Sequence, residues 1–343
     1  MSGIHPGGHG RVPSPNGALR HPRDADIAVE VALEAVGKDS LCPCPGGAEA
    51  DEEGMEPILE AEGVTFVYPD GTVALRDLTL AIPRGRRVCV LGANGCGKST
   101  LFLNFVGILR PTTGQIRLAG QPVRYDRQGL TDLRRRVGLV FQDPDAQLFA
   151  SSVRQDISFG PINLGLSDAE VRARVEEAIH ATQIEELADR PTHLLSYGQK
   201  KRVAIAGVLA MDPDVIIADE PTAGLDPAMT ARLVALLNRL QAMGRTIVIS
   251  THDVELALAW ADYVFVLRQG QVAGRGRPEV TFCDRELLAQ ARLVQPIVLQ
   301  AFVDLCARGV LPPDCPPPRD AATLAALIAS HAAIEHPVPG ERA

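Results

Sequence analysis

The chain has 343 residues, enough to bury a sizeable core and to hold more than one domain. It is 46% hydrophobic with a mean hydropathy of +0.05, and no apolar run approaches the ~18 residues of a membrane-spanning helix, so any work at a membrane requires partner chains. A net charge of −8 argues against nucleic acid as a main ligand, and seven cysteines behind a polar, Pro- and Gly-rich start without signal-peptide character read as reduced cytoplasmic thiols.

Residues 1–56 are dominated by Gly, Pro, Ala and acids and are expected to be mostly disordered, with helical character only over Asp24–Val36. His5, His9, His21, Cys42 and Cys44 lie there, at spacings that match no fixed metal-ligand pattern. From Pro57 to Ile82 the apolar positions Ile58, Leu59, Val64, Phe66, Leu75, Leu78, Leu80 and Ile82 predict an antiparallel sheet.

Arg87–Leu91 then reads as a buried strand and Leu101–Val106 as a helix. Between them stands a G-x-x-x-x-G-K-[ST] loop. Its residues Gly92, Ala93, Asn94, Gly95, Cys96, Gly97, Lys98, Ser99 and Thr100 are suited to wrap backbone N–H groups around phosphate oxygens at a helix N-terminus. Lys98 is expected to reach the β- and γ-phosphates and Ser99 to hold Mg²⁺. Cys96, among amides and next but one to Lys98, is expected to favour the thiolate.

A strand at Val137–Phe141 leads into a mostly helical insert over about residues 143–207. Ser167-Asp-Ala-Glu170 predicts a capped helix through Ala181. Ser196 is expected to cap the helix of Lys200–Ala210, whose Val203, Ala206, Ala210, Ile205 and Leu209 make an apolar face. The basic clusters Arg134–Arg136 and Lys200–Arg202 read as solvated faces. Val215–Ala218 is an apolar strand ending in Asp219 and Glu220, where open α/β sheets bind ligands. Asp219 is expected in the Mg²⁺ shell and Glu220 beside the γ-phosphate, orienting or deprotonating the attacking water. The strand Thr246–Ser250 follows, then a hairpin of Tyr263–Leu267 with Gln271–Gly274. Helices are predicted at Arg285–Leu293, Ile297–Cys306 and Ala321–Ala333.

In their order, these motifs resemble the nucleotide-binding subunit of an ATP-binding cassette (ABC) transporter. The phosphate loop, Leu195-Ser-Tyr-Gly-Gln199 and Val215–Glu220 match the family's phosphate loop, signature and carboxylate strand. Ala223–Asp226 is similar to its D-loop, His252 to its switch histidine, Gln142 to its Q-loop glutamine and Tyr68 to its adenine-stacking aromatic. The resemblance covers about residues 57–280. It implies an α/β P-loop NTPase with a mixed, largely parallel core sheet, an N-terminal antiparallel β subdomain, a helical signature subdomain and a helical extension over residues 281–343.

The resemblance also implies two copies closing on ATP and Mg²⁺. Ser196, Gly198 and Gln199 of one protomer would then face the γ-phosphate held by Lys98 of the other, with Asp226 linking the sites. Gln142 would join Ser99 and Asp219 at the metal. Within the family, Gln142–Phe149, Phe159–Ser167 and Tyr197–Met211 are similar to energy-coupling-factor importers, and among these to the cobalt and nickel ones. That similarity implies a peripheral protein on the cytoplasmic face of the membrane, a homodimer or a pair with a paralogous ATPase. A transmembrane coupling subunit and a substrate-binding membrane subunit would be its partners. A vitamin or another ion is the alternative cargo, and a soluble, non-transport ABC ATPase the more distant one. The stretch from Met55 resembles the natural start of the cassette. The signature departs from the usual Leu-Ser-Gly-Gly-Gln in having Tyr197 at its third position.

Overall fold

The computed structural model of the protein describes residues 55–312 and 314–335. The helical stretch Asp24–Val36, the expected disorder before residue 55 and the His5, His9, His21, Cys42 and Cys44 group lie outside the described residues.

β1 (Pro57–Val67) and β2 (Val73–Pro83) pair antiparallel. With β4 (Thr113–Leu118) and β5 (Gln121–Pro122) they form a sheet in the order β2-β1-β4-β5. Burial alternates along the end of β2, where Leu78, Leu80 and Ile82 are covered and Thr79 and Ala81 are not, as for a sheet with one wet face.

The second sheet has the order β10-β9-β3-β8-β7-β6. β3 (Arg87–Leu91), β6 (Val137–Val140), β7 (Val215–Ala218), β8 (Thr246–Thr251) and β9 (Tyr263–Arg268) run parallel, and β10 (Gln271–Gly276) is an antiparallel edge. Every residue of β7 and β8 is buried. Both faces are covered, so the strands read as unbroken apolar runs. Successive side chains enter opposite cores. Val88, Val90, Val215, Ile217 and Val248 pack with Phe102 and Phe105 toward the antiparallel sheet. Cys89, Leu91, Ile216, Ala218, Ile247 and Ile249 pack on the other face with Val203, Ala206, Leu233 and Leu237.

The insert holds helices at Val153–Asn163, Asp168–Thr182 and Tyr197–Leu209, with two short 3₁₀ turns between the second and the third. Ser167 and Glu170 form the expected reciprocal cap, and Ser196 and Gln199 form a second one. After β10 come helices at Pro278–Thr281, Arg285–Gln290, Ile297–Ala307 and Ala321–Glu335. The helix predicted to reach Leu293 stops at Gln290, and Arg292 takes a left-handed φ of 56°. Phe302, Val303 and Leu311 start a small core of their own against Leu324, Leu327 and Ile328. Among the described residues no helix is long and apolar enough to cross a membrane.

One expectation fails here. The Lys200–Arg202 cluster is not a solvated face, because Lys201 is only 2% exposed. Asp145 pairs with Lys200 at 2.5 Å and the Gln183 carbonyl accepts from Arg202 at 2.8 Å. Among the described cysteines Cys89 and Cys96 are free and buried. Asp156, in the same insert, is buried and accepts from the N–H groups of Phe149 and Ala150 at 2.9 and 2.8 Å.

Candidate active site

β6, β7, β8 and β3 are consecutive neighbours and parallel, so the segments leaving their carboxyl ends share one edge of the sheet. Those segments carry Gln142, Asp219–Glu220, His252 and the phosphate loop, in that spatial order. Residues far apart in sequence are brought together by strand order alone.

The loop runs from Gly92 into the helix Lys98–Phe105. Gly92 has φ 146° and Gly97 φ 112°. A Cβ on Gly92 would stand 2.4 Å from the Leu267 carbonyl oxygen, and one on Gly97 would stand 2.8 Å from that of Ala74. Both positions require glycine for space as well as conformation. The Lys98 ammonium donates to the carbonyls of Gly92 at 2.7 Å and Ala93 at 3.3 Å, and lies 3.9 Å from Glu220 Oε1. The hydroxyls of Tyr68 and Thr100 share a hydrogen bond of 3.0 Å, and the Tyr68 ring packs edge-on against Phe66. This fixes the aromatic residue beside the loop helix.

Cys96 differs from expectation. It is buried, and burial pushes its thiol above the ordinary range, against the opposing pull of Lys98. Desolvation wins because the loop encloses the sulfur.

Ala218 of β7 is level with Ile249 of β8, so the next residues, Asp219 and Ser250, are side by side. The Ser250 hydroxyl donates to Asp219 Oδ1 and accepts from the Glu220 N–H at 2.7 Å. Glu220 adopts a left-handed φ of 41°, and its Oε2 lies 3.4 Å from His252 Nδ1. Lys98, Glu220 and His252 thus form a chain of contacts. His252 is its exposed end, with 66% of its side chain open.

Ser99 and Gln142 are exposed on the same edge. With Asp219 they offer a hydroxyl, an amide carbonyl and a carboxylate. That hard-oxygen set fits Mg²⁺, which keeps most of its coordination for water and phosphate oxygens. Such an ion would neutralise charge on the phosphates.

The signature residues stand apart from this group. Ser196 and Gln199 hydrogen-bond each other across the helix start, and a Cβ on Gly198 would meet the Met229 side chain at 2.4 Å. Asp226 caps the helix Pro227–Ala242 through the Met229 N–H at 2.8 Å. Among the described residues no hydrogen bond or ion pair joins Ser196, Gly198, Gln199 or Asp226 to the phosphate loop.

Two residues emerge that sequence reasoning passed over. Ser250 is one; its signal was a polar residue ending a buried apolar strand. Lys201 is the other. It lies in line with Ile205 and Val208 on the apolar face of its helix. Its ammonium donates to the carbonyls of Glu220 at 3.0 Å, Pro221 at 2.8 Å and Ala223 at 3.1 Å. Burial holds this lysine down to about 8, although Glu220, Asp143 and Asp219 favour its charge. Tyr197 is anchored as well, its hydroxyl donating to the Gln142 carbonyl at 3.1 Å.

A mixed α/β sheet with a phosphate loop on one strand and a carboxylate pair two strands away is the architecture of a P-loop NTPase. The family model for ABC transporters matches residues 75–223. The cobalt import ATP-binding protein CbiO of Rhodobacter capsulatus is 52% identical over 275 residues, 80% of this chain and 98% of that protein. The energy-coupling factor transporter ATP-binding protein EcfA of Methanocaldococcus jannaschii is 50% identical over 255 residues, 74% of this chain and 91% of that one. The structure of cbiO1 from Clostridium perfringens, part of the ABC transporter complex cbiONQ, superposes with a TM-score of 0.63 at 46% identity, covering 74% of this chain and 99% of that one. The dimeric cassette MJ0796 bound to ADP and Pi gives 0.59 at 29% identity, covering 64% of this chain and 99% of that one. The chain belongs to the ABC transporter family and is one of its ATP-binding, ATP-hydrolysing subunits.

Proposed function

We propose that this chain energises an importer of the energy-coupling-factor type and that its cargo is cobalt or nickel. Two copies close on two ATP molecules at the cytoplasmic face of the membrane, against a transmembrane coupling subunit and a substrate-binding membrane subunit. The observation that carries the catalytic part is the placement of Glu220 between Lys98 and His252, 3.9 and 3.4 Å away. The cargo reading rests on the likeness to a cobalt import protein over nearly its whole length.

The phosphate loop amides and Lys98 hold the β- and γ-phosphates. Glu220 orients a water in line with the γ-phosphorus and takes its proton as the bond to the β–γ bridging oxygen breaks. His252 donates to a γ-phosphate oxygen. Asp219, Ser99 and Gln142 hold Mg²⁺. The exposed start of the signature helix offers Ser196 and its N–H groups to the γ-phosphate of the partner protomer, an anion site built from a capped helix end. Tyr68 stacks on adenine. The dimeric ADP- and Pi-bound cassette among the structural neighbours supports the two-fold arrangement.

The test is uptake of labelled cobalt and nickel by cells expressing the chain with its membrane subunits. ATP-dependent accumulation of either metal is expected. Accumulation of a vitamin and neither metal would overturn the cargo and leave the ATPase standing.

A further inference from the structure

Lys201 is an almost fully enclosed charge among the described residues. It is 2% exposed, it stands one turn into the signature helix, and its three donors meet three carbonyls of one short loop. An ammonium has three N–H groups, so its capacity is filled by Glu220, Pro221 and Ala223. The Tyr197 ring lies 5.2 Å from the ammonium, at cation–π distance. The same ring limits Gly224, where a Cβ would come within 3.2 Å of it.

The loop so held begins with Glu220 at φ 41°, a conformation that costs a non-glycine residue about 1 kcal/mol or more. Something must over-determine it. Ser250 holds the Glu220 N–H from β8, and Lys201 holds the Glu220 carbonyl from the signature helix. Both ends of the residue are therefore pinned, by two different elements. The carboxylate direction follows from that backbone.

We propose that Lys201 is a positioning residue for Glu220: it ties the backbone of the Glu220–Ala223 loop to the signature helix, so that the orientation of that helix sets the aim of the carboxylate. Lys201 touches neither nucleotide nor water in this scheme; it acts through Glu220. The inference rests on the reading of Glu220 as the residue that activates water.

The experiment compares full-length wild type, Lys201→Met, Lys201→Gln and Glu220→Gln by steady-state MgATP hydrolysis, ATP binding and thermal melting. For folded Lys201→Met, kcat is expected to fall about tenfold or more while KM and ATP affinity stay within about threefold, since phosphate contacts are untouched. Lys201→Gln, which keeps an amide donor, is expected to recover part of that loss and remain about threefold or more below wild type.

A folded Lys201→Met protein with wild-type kcat overturns the proposal. So does a loss of kcat that only mirrors a loss of folded protein. If Lys201→Met does not fold, Lys201→Gln decides: reduced kcat at unchanged KM supports the tie, and wild-type kcat removes it. The two readings fail differently. Glu220→Gln hydrolysing at the wild-type rate sinks the role of Glu220. An inactive Glu220→Gln beside a fully active Lys201 variant sinks only the positioning role.

Discussion

The Ser250 hydroxyl donates to the Asp219 carboxylate and, through the same oxygen, accepts the N–H of Glu220. One buried side chain on β8 thus sets the spacing between the carboxylate assigned to Mg²⁺ and the one assigned to water. Ser250→Ala removes a donor and an acceptor at once and leaves a buried N–H unpaired, at a cost of about 1–3 kcal/mol. The variant should melt earlier than wild type and hydrolyse ATP about tenfold more slowly, checked by calorimetry and phosphate release.

Glu220→Gln should bind ATP and fail to hydrolyse it, because Lys98 and the loop amides are unaffected. With MgATP it should elute as a stable dimer. Lys98→Ala removes a charge-assisted contact to phosphate and should elute mostly as monomer. Size-exclusion chromatography of the two variants separates binding from chemistry.

The glycines of the phosphate loop should not respond alike. Gly97→Ala forces a Cβ to 2.8 Å from the Ala74 carbonyl oxygen at φ 112° and should abolish ATP binding or folding. Gly95 has φ 77° but open space around it, so Gly95→Ala meets only the conformational cost, about 1 kcal/mol. Nucleotide titration should show no binding for the first and a small shift for the second.

The raised thiol of Cys96 holds less thiolate near neutral pH than an ordinary cysteine. Maleimide should therefore modify it slowly at about pH 7 and faster as pH rises, with MgATP protecting throughout. Peptide mapping after timed labelling is the check, and Cys96→Ser should keep its ATPase activity.

The insert presents Phe149 and Phe159, edge-to-face at 4.6 Å and 64% and 49% exposed. Phe159 completes an exposed aromatic pair suited to an amphipathic helix of a membrane subunit. Phe149→Ser should spare ATPase activity of the isolated chain and reduce co-purification with the membrane subunits. Asp145→Lys should do the same, since it also breaks the pair with Lys200. Asp156→Lys, by contrast, should destabilise the fold, because its carboxylate is buried on two N–H groups.

What the sequence by itself determined is what depends on near neighbours. The phosphate loop between a strand and a helix, the reciprocal caps of Ser167 with Glu170 and Ser196 with Gln199, and the apolar runs of β7 and β8 all follow from residues within a few positions of one another. What only the tertiary structure decided depends on which strands and helices are neighbours. Ser250 meets Asp219 across 31 residues because β7 and β8 pair in one register, and Lys201 meets Glu220 across 19 because the signature helix packs beside that loop. A serine at a strand end and a lysine in a basic triplet look solvated in sequence. Burial turns one into a bridge and the other into a clamp, since an enclosed polar group must find partners among whatever the fold brings to it.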